Sequence, residues 1–274
     1  MILARPDCDT KICISIAQKP GQFGSRFHNN SYRKLCMNWI YIPRKVDEVS
    51  VLGDVLNSLL ALGIKGCSVS MPFKQKSIQY LDEVDDRAKI IGAINTIKVK
   101  NDTLLKGYNT DYIGAKQALS VARIEGRRVL MLGAGGVAQA IGLAAIELGG
   151  RLTVANRTYE RAKELGEKLD AEVISWEEVN KSFAHLLINA TSVGMMNPNE
   201  MVVKEEAIQN FDVVMDTVIY PAETRLLRSA KEKGKEIIPG TLMCVYQAAA
   251  QFKIYTGFNA PKEVVERTIE TFEQ

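Results

Sequence analysis

The run Gly133-Ala134-Gly135-Gly136-Val137-Ala138 fits the pattern G-x-G-x-x-A. An apolar, strand-like run, RRVLML at 127–132, precedes it, and a helix-capable run at 137–148 follows. In that context Gly133 permits a tight turn, Gly135 lets a pyrophosphate approach the backbone, and Ala138 lets the helix pack closely on the strand. Ala134, Gly136 and Val137 complete the turn. The helix N-terminus offers unpaired N–H groups and the positive end of its dipole to the phosphates. The implied ligand is a dinucleotide, and the flanking strand and helix weigh against a glycine turn with no ligand.

The next strand, at 152–156, bears on which dinucleotide. A site for NAD places a carboxylate at its end, bonded to the ribose 2′-hydroxyl. Here the chain reads Asn156-Arg157-Thr158, then Arg161. Two arginines four apart at a helix start repel by a few tenths of a kcal/mol. An anion between them reverses that penalty, and guanidinium suits a 2′-phosphate. The pattern favours NADP over NAD. The plain alternative is two solvated arginines, offset by Glu160 and Glu164.

Elements that would position these residues alternate along the chain. KICISIA at 11–17 and NWIYI at 38–42 read as strands, with a helix at 26–35 between them. Val49, Leu52, Val55, Leu56, Leu59 and Leu60 recur at helical spacing, and Gly63 stands where a C-cap glycine belongs. GCSVS at 66–70 reads as the next strand. This order predicts a mainly parallel sheet with helices on both faces. Residues 93–99 and 104–108, separated by Asn101-Asp102, read as a hairpin. Helical spacing resumes at 113–121. After the glycine turn come RLTVAN, a helix near 161–169, EVI, HLLINAT and FDVVMDTV, a second strand–helix series. Helices at 242–255 and 261–272 close the chain. The fold class is α/β in two domains: an N-terminal α/β domain over 1–105 plus 240–274, and a Rossmann-type NADP-binding domain with a parallel sheet over 106–239. The C-terminal helices return to the first domain.

Composition narrows the function. The chain has 274 residues, 46% of them hydrophobic and 24% charged, enough for full cores and unlike a disordered chain. A net charge of +3 gives no footprint for nucleic acid or a membrane surface. Cys8, Cys13, Cys36, Cys67 and Cys244 are scattered, without the paired spacing of a disulfide framework or a zinc cage. His28 and His185 lie far apart, and no H-E-x-x-H is present, so no metal is expected. The N-terminus lacks an apolar signal core, and the apolar stretch at 137–148 is too short to span a bilayer. A cytoplasmic protein is expected, without nucleic-acid or membrane partners.

With these segments in hand, the chain resembles the shikimate dehydrogenases, including their quinate/shikimate and shikimate dehydrogenase-like branches. VSMPFK at 69–74, GAINT at 92–96, GYNTDYIG at 107–114, the glycine turn, NRTYER at 156–161, NATSVGM at 189–195, DTVIYPAETRL at 216–226 and GTLMCVYQAAAQFKIYTG at 240–257 carry the likeness. It implies a two-domain NADP-dependent dehydrogenase of shikimate metabolism and aromatic amino acid biosynthesis, with the substrate in a cleft between domains. The substrate is a small hydroxy acid, and the protein a monomer or homodimer. Lys74 takes the place of the catalytic lysine and Asp111 of its paired aspartate. Asn95 and Gln247 match substrate-binding amides, and Ser70 a hydroxyl residue near the substrate. Tyr220 and Met243 match positions lining substrate and nicotinamide. Asn189, Ala190, Thr191 and Ser192 match the loop beside the cofactor, and Val218 and Gly240 join the cofactor set. Such an oxidation sends a hydride to the nicotinamide and a proton to a base, a task a lysine can perform if burial lowers its pKa. Which of Lys74 and Asp111 moves the proton stays open. Outside the family pattern, Lys74 is a solvated lysine beside Lys76, and Asp111 a helix cap in competition with Thr110.

One segment departs from the family. A Ser-x-Ser-Pro stretch before a His-Asn pair ordinarily holds the substrate carboxylate. Anchored on His28-Asn29, those serine positions carry Gln22 and Gly24, with Ser25 in place of the proline. Losing bonds to a charged group costs about 1.5–3 kcal/mol each. The expectation is the shikimate dehydrogenase-like branch, weak on shikimate itself, with Gln22 or Ser25 as substitute donors. Phe23 offers either a pocket wall or a loop anchor, and His28 reads as a structural histidine. An NADP-binding sensor with the fold but little turnover is the alternative of another class. A methylene-tetrahydrofolate dehydrogenase is disfavoured by the GYNTD and DTVIYPAET segments.

Overall fold

The computed structural model of the chain describes residues 6–273. Residues 1–5, the start of the N-terminal stretch expected to carry no signal sequence, and residue 274 lie outside the described residues. The chain divides into two compact units, Met1–Thr110 with Gln247–Thr268, and Asp111–Tyr246 with Ile269–Gln274.

The first unit contains β1 (Lys11–Ala17), α1 (Phe23–Lys34), β2 (Trp39–Lys45), α2 (Leu52–Ala61), β3 (Gly66–Val69), β4 (Glu83–Val84), α3 (Asp86–Ile91), β5 (Thr96–Lys100) and β6 (Leu104–Tyr108). Its sheet order is β2-β1-β3-β5-β6-β4. The sheet is mixed rather than mainly parallel. β1 runs parallel to β2 and β3, but β5 is antiparallel to β3 and to β6. The hairpin expected at 93–99 and 104–108 forms as β5 and β6: Asn101 and Asp102 take φ of 52° and 58°, a left-handed turn these two residue types tolerate, and it folds β6 straight back onto β5. The departure from a mainly parallel sheet is the pairing of β5 with β3. β2 lies at the sheet edge, where Pro43 can be accommodated without leaving an inner ladder short of a donor. Helical spacing in α2 places Leu52, Leu56 and Leu59 in one buried cluster with Ile16, Val69, Phe73 and Ile97.

The helix expected from residue 26 begins three residues earlier, at Phe23. Arg26 N–H donates to the Gln22 carbonyl at 3.0 Å, and the Ser25 hydroxyl donates to the same oxygen at 3.1 Å. Gln22 is therefore the cap of α1, and Gly24 and Ser25 belong to its first turn rather than to a free loop.

α4 (Thr110–Leu119) leads into the second unit: β7 (Arg128–Leu132), α5 (Gly136–Glu147), β8 (Arg151–Ala155), α6 (Tyr159–Leu169), β9 (Glu172–Val173), β10 (Ala184–Asn189), β11 (Phe211–Asp216), α7 (Arg225–Glu232) and β12 (Glu236–Pro239). α8 (Gly240–Thr256) starts there and ends in the first unit, and α9 (Lys262–Glu273) closes the chain. The sheet order is β12-β11-β10-β7-β8-β9, with every pairing parallel. Numbered within the unit and read from β9, this is the doubly wound order 3-2-1-4-5-6. Parallel strands covered on both faces must be apolar throughout, as Val129, Leu130, Met131 and Leu132 are, each at most 2% exposed. The strand order reverses between β7 and β10, so the crevice for a ligand opens at their carboxyl ends.

Candidate active site

The glycine turn sits at that switch point. Gly133 has φ of 114°, and a Cβ there would lie 2.7 Å from the Ala190 carbonyl oxygen. Only glycine both adopts this conformation and lets the turn close against the end of β10. A Cβ at Gly135 or Gly136 would meet nothing within 4 Å. Gly135 is the N-cap of α5, and no side chain caps that end of the helix. Ala138, one turn in, is fully buried. An open, uncapped helix start without side chains in the way fits the phosphates of a dinucleotide.

Beside this turn lies a cavity of about 340 Å³, lined by Ala134 and Gln139 together with Arg161, Glu164, Leu165 and Lys168 of α6. Lys168 donates to the Gln139 side-chain oxygen at 2.8 Å. Gln139 and Lys168 escaped the sequence reading because no spacing rule pairs α5 with α6. Arg157 is exposed and lies outside that lining. It precedes the helix, since Thr158 is the cap of α6, and Asn156 shapes the turn by donating to the Thr158 carbonyl at 2.9 Å.

At the ends of β10 and β11, Asn189 and Asp216 form a buried hub. Asn189 donates to Asp216 Oδ1 at 3.0 Å and to the Val193 carbonyl at 3.1 Å, and its oxygen accepts from the Thr191 N–H and hydroxyl. Asp216 also accepts from Val218 N–H at 3.0 Å and from the Thr224 hydroxyl at 2.7 Å. Burial pushes its carboxyl up to about 6, against the pull of those three bonds. Asn189 and Val218 thus shape the loops, with Ala190 buried beside them and Thr191 and Ser192 more open. Gly240 is held for a packing reason: a Cβ there would lie 2.6 Å from the Thr217 backbone. Asp111 is half-buried in the first turn of α4. Met243 is buried, and Tyr220 is exposed with its ring 6.0 Å from that of Phe272.

In the first unit, the loops after β1 and β3 are tied together. Ser70 N–H donates to the Ile16 carbonyl at 3.0 Å, and Gln18 N–H to the Met71 carbonyl at 3.3 Å. This brings the segment leading to Gln22 and Gly24 alongside the turn holding Ser70 and Lys74. Ser70 is exposed, and Lys74 is half-buried with its carbonyl accepting from Ile94 N–H at 3.0 Å. That bond links Lys74 to the segment carrying Asn95. Asn95 is 4% exposed, and its side-chain oxygen accepts from Thr110 N–H at 2.8 Å and from the Thr96 hydroxyl at 2.8 Å. Gln247 joins this cluster, its Oε1 at 3.4 Å from Asn95 Nδ2.

Neither substitute for the missing serines is free in the way the sequence suggested. The Ser25 hydroxyl is committed to the Gln22 carbonyl, and Gln22 Oε1 accepts from Arg26 at 3.1 Å. A Cβ at Gly24 would lie 3.3 Å from the Tyr41 hydroxyl. Phe23 stacks on Phe27 with ring centroids 6.2 Å apart. His28 is fully buried and stacks on Tyr41 at 4.5 Å. Among the described residues, no group of His, Cys, Asp and Glu could hold a metal ion, and no helix is long and apolar enough to cross a membrane.

A doubly wound parallel sheet with an open, uncapped glycine turn at its switch point defines a dinucleotide-binding α/β protein. Comparison with known proteins narrows this. Residues 23–97 match the shikimate dehydrogenase substrate binding domain, 115–219 the shikimate/quinate 5-dehydrogenase family, and 240–270 the shikimate 5′-dehydrogenase C-terminal domain. Shikimate dehydrogenase (NADP(+)) of Pyrococcus abyssi is 40% identical over 243 residues, covering 88% of this chain and 89% of that one. The shikimate dehydrogenase-like protein of Haemophilus influenzae is 34% identical over 264 residues, covering 94% of each. The structure of Thermus thermophilus shikimate 5-dehydrogenase in complex with NADP(H) and shikimate superposes with a TM-score of 0.86 at 28% identity, over 96% of this chain and 99% of that one. The chain belongs to the shikimate dehydrogenase family.

Proposed function

We propose that the chain is an NADP-dependent dehydrogenase of the shikimate dehydrogenase-like branch. It interconverts shikimate, or a related cyclic hydroxy acid such as quinate, and the 3-dehydro form, with weak turnover of shikimate itself. The observation that carries the reading is the first turn of α1. Glycine stands at one clamp position, and the neighbouring serine hydroxyl is already used on the Gln22 carbonyl. A carboxylate arriving there meets the Gln22 amide N–H group and the Arg26 guanidinium in place of two hydroxyls. An amide and a planar cation reach farther than serine and favour a differently placed carboxylate.

When bound, the nicotinamide of NADP accepts or returns the hydride. The backbone of the glycine turn and the start of α5 hold its pyrophosphate, with Gly135 and Gly136 leaving the space open. Arg157 and Arg161 meet the 2′-phosphate. Lys74 exchanges the proton of the reacting hydroxyl, and Asp111 holds a substrate hydroxyl. Asn95, Gln247, Ser70 and Tyr220 orient the substrate.

The test follows nicotinamide absorbance with NADP or NAD against shikimate, quinate and related hydroxy acids. Saturable, NADP-dependent turnover with a high KM for shikimate is expected. Gln22→Ser combined with Gly24→Ser is expected to lower that KM by about tenfold or more, one or two hydrogen bonds to a charged group. Tight NADP binding without turnover of any hydroxy acid would instead mark a sensor.

A further inference from the structure

Behind Asn95 and Gln247 runs a buried hydrogen-bond chain whose donors and acceptors follow link by link. Thr110 N–H is an obligate donor 2.8 Å from the Asn95 side chain, so the atom it meets is Oδ1. Asn95 Nδ2 therefore faces Gln247, and the Gln247 atom 3.4 Å away is its oxygen. Gln247 Nε2 is turned away from Asn95 and has no partner among the described residues. On the inner side, Gln251 is 4% exposed. It lies 3.3 Å from the Asn95 carbonyl oxygen, an obligate acceptor, so it donates there through Nε2, and also to Thr96 Oγ1 at 3.0 Å. Its Oε1 then faces His28 Nε2 at 3.4 Å, and that nitrogen carries the imidazole proton. His28 Nδ1 is left bare and unpartnered, as suits a neutral ring whose pKa burial lowers to about 4. Thr96, accepting from Gln251, gives its one proton to Asn95 Oδ1 at 2.8 Å. The Thr110 hydroxyl stands between Asn95 Oδ1 at 3.0 Å, Thr96 Oγ1 at 3.1 Å and Gln247 Oε1 at 3.3 Å, and its one proton is shared among these oxygens.

We propose that Gln251 is a positioning residue: by donating to the Asn95 carbonyl and the Thr96 hydroxyl it pins the segment that carries Asn95, and through Asn95 it holds Gln247 with amide hydrogens, and not its carbonyl, toward an oxygen of the substrate. The inference rests on the reading that Asn95 and Gln247 bind the hydroxy acid. A Leu at 251 removes both donors to the Asn95–Thr96 segment. A Glu keeps the size and still accepts from His28, but it cannot donate to the Asn95 carbonyl and draws the Thr96 proton away from Asn95.

The experiment is a double-mutant cycle read as KM and kcat for shikimate at saturating NADP. Gln251→Glu and Gln251→Leu are expected to raise the shikimate KM about tenfold, the loss of roughly one well-aimed hydrogen bond. The change in kcat should be smaller, and the KM for NADP unchanged. In a Gln247→Ala background, either change at 251 should add almost nothing, because it acts through Gln247. Equal effects of Gln251 substitution with and without Gln247, or an unchanged KM with only lower thermal stability, would overturn the inference and leave the substrate reading intact. An unchanged KM in Gln247→Ala alone, or no turnover of shikimate or quinate by the unaltered protein, would remove the substrate reading and the inference together. If Gln251→Leu does not fold, the isosteric Gln251→Glu carries the same comparison.

Discussion

Lys74, the proposed proton carrier, and His28 show how a basic side chain takes its role from its surroundings. Lys74 lies half-buried in the turn after β3, linked through its carbonyl to Ile94 beside Asn95. General acid–base catalysis by such a group contributes about 10²–10⁴-fold. Lys74→Ala is expected to lower kcat by that much while leaving the NADP dissociation constant, measured by fluorescence, nearly unchanged. His28 is fully buried, and desolvation lowers its pKa to about 4, against partial support from Gln251. A depressed histidine pKa contributes stability above its unfolded value near 6.5 that is lost as pH falls through about 4. The size is on the order of 3 kcal/mol. Denaturant unfolding at pH 7 and pH 4.5 should show the native protein losing more stability on acidification than His28→Asn does. An equal loss in both would contradict the burial argument.

At the scale of elements, the turns at the strand ends carry the second unit's function. Gly133→Ala forces a Cβ to within 2.7 Å of the Ala190 carbonyl oxygen at a φ of 114°. Expected are a stability loss of about 1–3 kcal/mol, typical of backbone strain, and loss of NADP binding. Calorimetric titration together with thermal unfolding checks both. The Asp216 hub is a second case. Its carboxyl pKa is raised by burial from 3.8 to about 6, so its contribution is fully present below about 3.8 and is lost as pH rises through about 6. Asp216→Asn should therefore flatten the stability profile between those values. It should also loosen the loops that Asn189, Val218 and Thr224 fasten to it, seen as faster amide exchange at Thr191 and Val193.

For the whole molecule, cofactor choice is read most simply through ligand-linked stability. A ligand that binds only the folded chain stabilises it by about 2.7 kcal/mol at a hundredfold excess over its dissociation constant. NADP should raise the melting temperature more than NAD at equal concentration. Arg157→Ala and Arg161→Ala should each reduce the NADP shift and leave the NAD shift nearly unchanged. Equal losses with both cofactors would remove the 2′-phosphate assignment. Arg161 lines the cavity at Ala134, whereas Arg157 stands on the exposed turn that Asn156 shapes, so the two substitutions test the proposed role from different positions.

The α/β class, the doubly wound second sheet and the glycine turn were legible in the residues, because each depends on local rules. Apolar runs such as Val129–Leu132 can only be inner parallel strands or helix cores, and G-x-G-x-x-A after such a run has one common use. The order of motifs from Lys74 to Gln247 was legible too, through resemblance. The β5–β6 hairpin was also legible, from the polar turn at Asn101-Asp102; that β5 runs antiparallel to β3 was not, because the path between them is long and no residue pattern in it fixes strand direction. The start of α1 was misplaced because its cap is a backbone carbonyl at Gln22, which leaves no signature in side-chain type. Gln251 and Lys168 were invisible for a further reason: their partners lie on other strands and helices, and no spacing along a chain reports a hydrogen bond across 156 residues. Sequence determined which chemistry is on hand, since residue type fixes charge, donors and acceptors. Tertiary structure decided which amide points outward, which hydroxyl is already spent and which carboxyl is buried, because those depend on neighbours that only folding supplies.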